Sequence, residues 1–113
     1  MARRLAASGF DLVLWNRTPE KAGQLHVGRV AATPADAARD ADVVISSLTN
    51  DVAVRTVYLG ENGVLRSAGG KLLIDMSTAG PEVADDLERE SQAKGARLVE
   101  APVVGSVPAV ESG

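Results

Sequence analysis

Several short polar clusters in this chain carry side chains able to hold a charged or hydrogen-bonding ligand. Asn16-Arg17-Thr18 sets an amide, a guanidinium and a hydroxyl side by side. A planar, permanently charged fork beside neutral donors suits an oxyanion such as phosphate. Leu48-Thr49 and Ser77-Thr78 each follow an apolar run, and hydroxyls orient a ligand without adding charge. Ala101-Pro102-Val103-Val104-Gly105-Ser106 ends on two residues, Gly105 and Ser106, whose backbone N–H groups can form an anion-accepting concavity. Each cluster also has a plainer reading. Thr18 caps a helix opened by Pro19 and Arg17 is solvated; Thr49 belongs to a cap made with Asn50 and Asp51. Ser77-Thr78 is turn chemistry ahead of Gly80-Pro81, and Val103 and Val104 extend a strand.

Other chemistries are excluded by what the chain lacks. With no cysteine and the single His26, thiolate catalysis, disulfides and Cys- or His-rich metal sites have no residues to build them. Asp36, Asp42, Asp51, Asp75, Asp85, Asp86 and the glutamates form no pair that demands acid–base work; most suit caps or solvated helix faces. Twelve Lys and Arg against 15 Asp and Glu give a net charge of -3, which argues against a nucleic-acid partner. One Trp, one Tyr and one Phe leave no stacking platform for single strands. No apolar run approaches the ~18 residues of a membrane span, so no membrane partner is expected and the expected location is cytoplasmic. The opening MARRLAASGF carries two arginines and no acid, as targeting peptides do, but its apolar part is too short for a secretory signal. At 113 residues, 45% hydrophobic and 24% charged, the chain suits one globular domain or part of one.

The elements that must position these clusters alternate between short β-branched runs and Ala-rich amphipathic stretches, the pattern of βαβ units on a parallel sheet. Strands are expected at Leu12–Trp15, Val43–Ser46, Leu72–Asp75 and Leu98–Val99, with a weaker one inside Val27–Ala31. Thr18-Pro19-Glu20 and Thr33-Pro34-Ala35-Asp36 predict helix starts, each with a hydroxyl at the cap and Pro in the first turn. Asn50 or Asp51 caps a helix over Val52–Tyr58, and Pro81 opens one that runs to about Lys94, where Gly95 ends it. Between Gly60 and Gly70 the turn signals predict a short helical piece flanked by turns. Met1 to Ser8 reads as a helix stopped by Gly9, with no strand ahead of it.

The segments Met1-Ala-Arg-Arg-Leu-Ala-Ala-Ser-Gly-Phe, Val13-Leu-Trp-Asn-Arg-Thr, Asp42-Val-Val-Ile, Glu61-Asn-Gly-Val-Leu, Leu73-Ile-Asp-Met-Ser-Thr and Glu100-Ala-Pro-Val-Val-Gly-Ser together resemble the β-hydroxyacid dehydrogenases. That family includes 3-hydroxyisobutyrate dehydrogenase and the glyoxylate and succinic semialdehyde reductases, and is related to 6-phosphogluconate dehydrogenase. The resemblance implies an α/β fold, a Rossmann-type parallel sheet with helices on both faces and strand order 3-2-1-4-5-6. In the family a first strand and a glycine-rich turn precede the opening helix. The expectation is therefore a partial NAD(P)-binding domain over residues 1–113, without that strand and turn and without the helical C-terminal domain. Two interior sheet edges would then lack a partner, and such a chain should fold poorly alone.

For the site, the resemblance implies cofactor binding by Asn16, Arg17, Thr18, Leu48, Thr49 and Thr78. Asn16 stands where an acid would select NAD through the ribose, while Arg17 and Thr18 suit a 2′-phosphate. NADPH (NADP) is therefore the preferred cofactor, with NAD possible. Thr49 departs from the family's usual Leu-Pro, and Thr78 is placed near the nicotinamide end. The substrate loop maps to Val104, Gly105 and Ser106, with Val104 at a position usually held by Ser. No metal site is implied, and the family's catalytic lysine has no counterpart here, so no catalytic residue is assigned. The implied function is the NADP-binding portion of an oxidoreductase acting on a small β-hydroxyacid or semialdehyde. Its partners would be a small carboxylate or aldehyde substrate and, in the full-length form, a homo-oligomer. The alternative is a non-catalytic binding or assembly module, or a gene fragment, that retains the fold.

Overall fold

Residues 1–103 are described in the computed structural model, so Val104, Gly105 and Ser106 lie outside the described residues. Helix α1 spans Ala2–Ala7 and is followed by β1 (Val13–Leu14), α2 (Pro19–Gly23), β2 (Arg29–Val30), α3 (Pro34–Arg39) and β3 (Val43–Ser46). Then come α4 (Asp51–Leu59), a 3-10 helix (Val64–Ser67), β4 (Leu72–Asp75), α5 (Pro81–Ala93) and β5 (Arg97–Glu100). This is the order expected from the sequence. Two strands differ in length. β1 is shorter than Leu12–Trp15 because its ladder with β2 holds only Val13 opposite Arg29 and Leu14 opposite Val30. β5 is longer than Leu98–Val99 because all four residues of β4 find a partner on it.

The helix starts follow the predicted chemistry with one exception. Thr33 Oγ1 accepts from the Asp36 amide at 3.0 Å, and Asn50 Oδ1 accepts from the Ala53 amide at 2.9 Å. Each satisfies a backbone donor that the first turn leaves open. Thr18 occupies the cap position of α2 but its hydroxyl makes no cap bond. The Thr18 amide donates to Asn16 Oδ1 at 2.9 Å. α5 stops before Gly95, whose φ of +75° is the left-handed geometry that favours glycine.

All strand pairs are parallel, and the strands fall into two sheets, β1-β2 and β3-β4-β5. Among the described residues β1 pairs only with β2, and β3 only with β4. Alternation along the three-stranded sheet sends Val44, Leu73 and Leu98 to one face, where they join Val54, Val57 and Tyr58 of α4 and Val83 and Leu87 of α5. Val64 and Leu65 of the 3-10 helix and the half-buried Trp15 and Leu48 complete this core. On the other face Val43, Ile45 and Val99 remain 46%, 40% and 47% exposed. Arg55 of α4 and Asp86 of α5 pair at 2.8 Å, and Arg89 binds the other Asp86 oxygen at 2.8 Å, so an ion-pair cluster links the two helices. Lys71 Nζ donates to the Ala38 and Arg39 carbonyls at the end of α3, where a cation meets the negative end of the helix dipole.

Candidate functional site

Because the strands are parallel, the carboxyl ends of β1, β3 and β4 open into loops that carry the candidate residues. In α/β sheets this edge is where ligands gather. The loop after β1 holds Asn16, Arg17 and Thr18, all exposed. Asn16 Oδ1 is engaged by the Thr18 amide, which curls the loop. Arg17 is in no ion pair among the described residues. The loop therefore presents a cation, a hydroxyl and the Asn16 amide nitrogen, with no carboxyl among the three residues. That donor set suits a phosphate-bearing ligand.

The loops after β3 and β4 are stitched to each other. The Leu48 amide donates to Ser77 Oγ at 2.8 Å, and the Gly80 amide donates to Asp51 Oδ1 at 3.0 Å. Gly80 allows the second contact, because a Cβ there would lie 2.9 Å from Asp51 Oδ2. Thr49 and Thr78 are the exposed residues immediately beyond the Leu48–Ser77 bond. Asn50 makes the α4 cap, so the Thr49 side chain is not needed for it. Leu48 packs against the core, and its N–H is already taken by Ser77, which leaves its carbonyl as the polar group it can offer. The structure thus brings Leu48, Thr49 and Thr78 together on two tied loops. Asn16, Arg17 and Thr18 follow a strand of the other sheet.

Beneath the two tied loops lies a polar network that the sequence reading did not identify. Tyr58 OH and Ser46 Oγ are 2.5 Å apart, and Ser46 Oγ donates to Asp75 Oδ1 at 2.9 Å, so the phenol must be the donor in the first bond. The Ser77 amide adds a bond of 3.1 Å to the same carboxyl oxygen. Asp75 is 2% exposed, an exception among acids expected mostly at caps and solvated faces. It can be buried because Ser46 and Ser77 supply donors to it. Burial pushes the Tyr58 hydroxyl above the usual phenol range; the bond to Ser46 pulls against that shift, and nearby Asp75 adds to it. Tyr58 is therefore a protonated donor across the neutral range. One signal was present in the sequence: Ser46 and Asp75 each close an otherwise apolar four-residue run.

The exposed Arg17 with its neighbouring amide and hydroxyl, and the uncharged hydroxyls at the ends of β3 and β4, fit a phosphate-bearing dinucleotide better than a metal ion. Among the described residues no group of three or more His, Asp or Glu side chains is placed to hold a metal. No helix among them is long and apolar enough to cross a membrane.

Comparison with known proteins places these loops in context. The family described as the NAD binding domain of 6-phosphogluconate dehydrogenase matches residues 1–113. Mitochondrial 3-hydroxyisobutyrate dehydrogenase of Rattus norvegicus is 38% identical over 116 residues, covering 100% of this chain and 35% of the relative. The chain thus spans about a third of the length of the curated relatives it matches. Among solved structures, Mycobacterium tuberculosis 3-hydroxyisobutyrate dehydrogenase with L-serine is 28% identical with a TM-score of 0.85, over 95% of this chain and 37% of that one. Psf3 in complex with NADP+ and 2-OPP is 32% identical with a TM-score of 0.87, over 95% of this chain and 39% of that one. The fold is accordingly the Rossmann-like NAD-binding type.

Proposed function

The chain belongs to the family of the NAD binding domain of 6-phosphogluconate dehydrogenase, and from that premise we propose that it is the NADPH-binding part of an oxidoreductase for small β-hydroxyacids or semialdehydes. The observation that carries the cofactor preference is the loop after β1. There Asn16 is engaged with the Thr18 amide, no acid is present among the three residues, and the Arg17 guanidinium is exposed. An acid at this place would accept from a ribose hydroxyl and repel a 2′-phosphate; Asn16 carries no charge to repel it, and Arg17 supplies a planar donor for the phosphate. A bound nicotinamide dinucleotide supplies hydride transfer, and the chain's own groups bind and orient it. Leu48, Thr49 and Thr78 hold the dinucleotide from the tied loops, Thr78 at the nicotinamide end. Val104, Gly105 and Ser106 accept the substrate's carboxylate through backbone N–H groups, since Val104 has no hydroxyl to offer. The similarity to 3-hydroxyisobutyrate dehydrogenases supports the substrate class.

The test is calorimetric titration of the intact protein with NADPH and with NADH. Tighter binding of NADPH is expected, and equal or tighter binding of NADH overturns the preference. Turnover across a panel of β-hydroxyacids and semialdehydes then tests the substrate class. A cytoplasmic location accompanies this reading. Fractionation tests it, and recovery in mitochondria, the location in the rat relative's name, would replace it.

A further inference from the structure

We propose that Ser77 is a positioning residue for dinucleotide binding: anchored on the buried Asp75, it holds the loop after β3 against the loop after β4 and so sets where Thr49 and Thr78 stand. The proposal rests on the reading of these two loops as cofactor contacts. Ser77 is 6% exposed and works in two directions. Its backbone N–H donates to Asp75 Oδ1 at 3.1 Å, while its Oγ accepts from the Leu48 amide at 2.8 Å. The same Asp75 oxygen accepts from Ser46 Oγ at 2.9 Å, two residues before Leu48 in the chain. A closed ring of contacts therefore joins residues 46–48 to residues 75–77.

The sheet ladder reaches only as far as Ser46 opposite Asp75, followed by a last backbone bond from the Met76 amide to the Ser46 carbonyl at 2.8 Å. Beyond it no strand pairing holds the loops together, and the Ser77 hydroxyl supplies the next bond in the backbone's place. Thr49 and Thr78 each lie one residue past a clamped position. A ligand contact made from a residue held in this way loses little conformational entropy on binding. The second stitch, from Gly80 to Asp51, closes the far side of the loop that carries Thr78.

The test uses the intact protein with Ser77→Ala, Ser77→Thr and Asp75→Asn. NADPH affinity is measured by titration, folding by circular dichroism, and exchange of the Leu48 amide by nuclear magnetic resonance without dinucleotide. Ser77→Ala is expected to stay folded, to expose the Leu48 amide to exchange, and to raise the Kd for NADPH roughly fivefold or more, as loss of one hydrogen bond allows. Ser77→Thr keeps the hydroxyl and is expected to keep the affinity. Combining Ser77→Ala with Asp75→Asn should cost less than the sum of the two, because both act through one chain of contacts. Unchanged NADPH affinity in a folded Ser77→Ala overturns the proposal. So does an equal loss in the Ala and Thr variants, which assigns the residue to packing. A wild-type protein that binds neither NADPH nor NADH overturns the cofactor reading and this inference with it, whereas tight wild-type binding with an indifferent Ser77→Ala overturns this inference alone.

Discussion

Ser46 and Asp75 stand opposite each other in the parallel register of β3 and β4, and Ser46 Oγ donates to Asp75 Oδ1 at 2.9 Å. A buried acid without such a donor would be strongly unfavourable. With Ser46, Tyr58 and Ser77 around it, the acid instead becomes the point from which two loops are hung. The sheet edge that carries the candidate site is therefore held by polar contacts, while α4, α5 and Leu73 supply the apolar core behind it.

Arg17→Ala in the intact protein is expected to weaken NADPH binding by about 1.5–3 kcal/mol, the worth of a hydrogen bond to a charged group, and to leave NADH nearly unchanged. Titration with both cofactors measures it. Equal losses would remove Arg17 from the 2′-phosphate.

Val104→Ser is expected to raise kcat/KM for a small β-hydroxyacid by up to roughly tenfold, about 1.4 kcal/mol, because one new neutral hydrogen bond contributes about that much. The comparison is made across a short panel of hydroxyacids and semialdehydes. Equal turnover by both forms would show that this side chain does not meet the substrate.

Tyr58 is the only tyrosine in the chain, so tyrosinate absorbance reports on it alone. Its ionisation in the folded protein is expected to lag behind the ordinary phenol value of about 10, because burial favours the neutral form. Above that pH the unfolded chain gains by ionising and the folded one does not, so stability falls as pH rises. Tyr58→Phe should cost about 0.5–1.5 kcal/mol at neutral pH through the lost bond to Ser46 and flatten the alkaline decline. A native protein that forms tyrosinate at the ordinary value would contradict the burial argument.

Asp86 is held below the usual carboxyl range by its bond to Arg55 and then by that to Arg89. A depressed folded-state value means that the stabilisation is complete above the unfolded value, about 3.9, and is lost as pH falls through the folded one. Thermal melts of Asp86→Asn should therefore show lower stability at neutral pH and a shallower acid limb, and added salt should narrow the difference, since these are partly exposed pairs. An acid limb identical to that of the wild type would assign the acid sensitivity to other carboxyls.

What the sequence determined by itself is the set of elements and their order. Apolar β-branched runs such as Val43–Ser46, the caps at Thr33 and Asn50 and the stop at Gly95 depend on residues a few positions apart, and short-range chemistry decides them. Even there Thr18 misleads, because a hydroxyl ahead of Pro19 has the form of a cap while the local bond runs from the Thr18 amide to Asn16. The candidate residues Asn16, Arg17, Thr18, Thr49 and Thr78 follow legible strand ends, and it is the resemblance to the β-hydroxyacid dehydrogenases that singles them out from ordinary caps and turns. Only the tertiary structure decided what holds them. Leu48 and Ser77 are 29 residues apart, as are Ser46 and Asp75, and no local preference pairs them. Sheet register brings their backbones opposite each other, and the packing of α4 places the Tyr58 hydroxyl at the same point. The burial of Asp75 is likewise a property of the assembled layers: an acid that closes an apolar strand is a solvated end or a buried anchor according to which donors the neighbouring strand and helix bring to it.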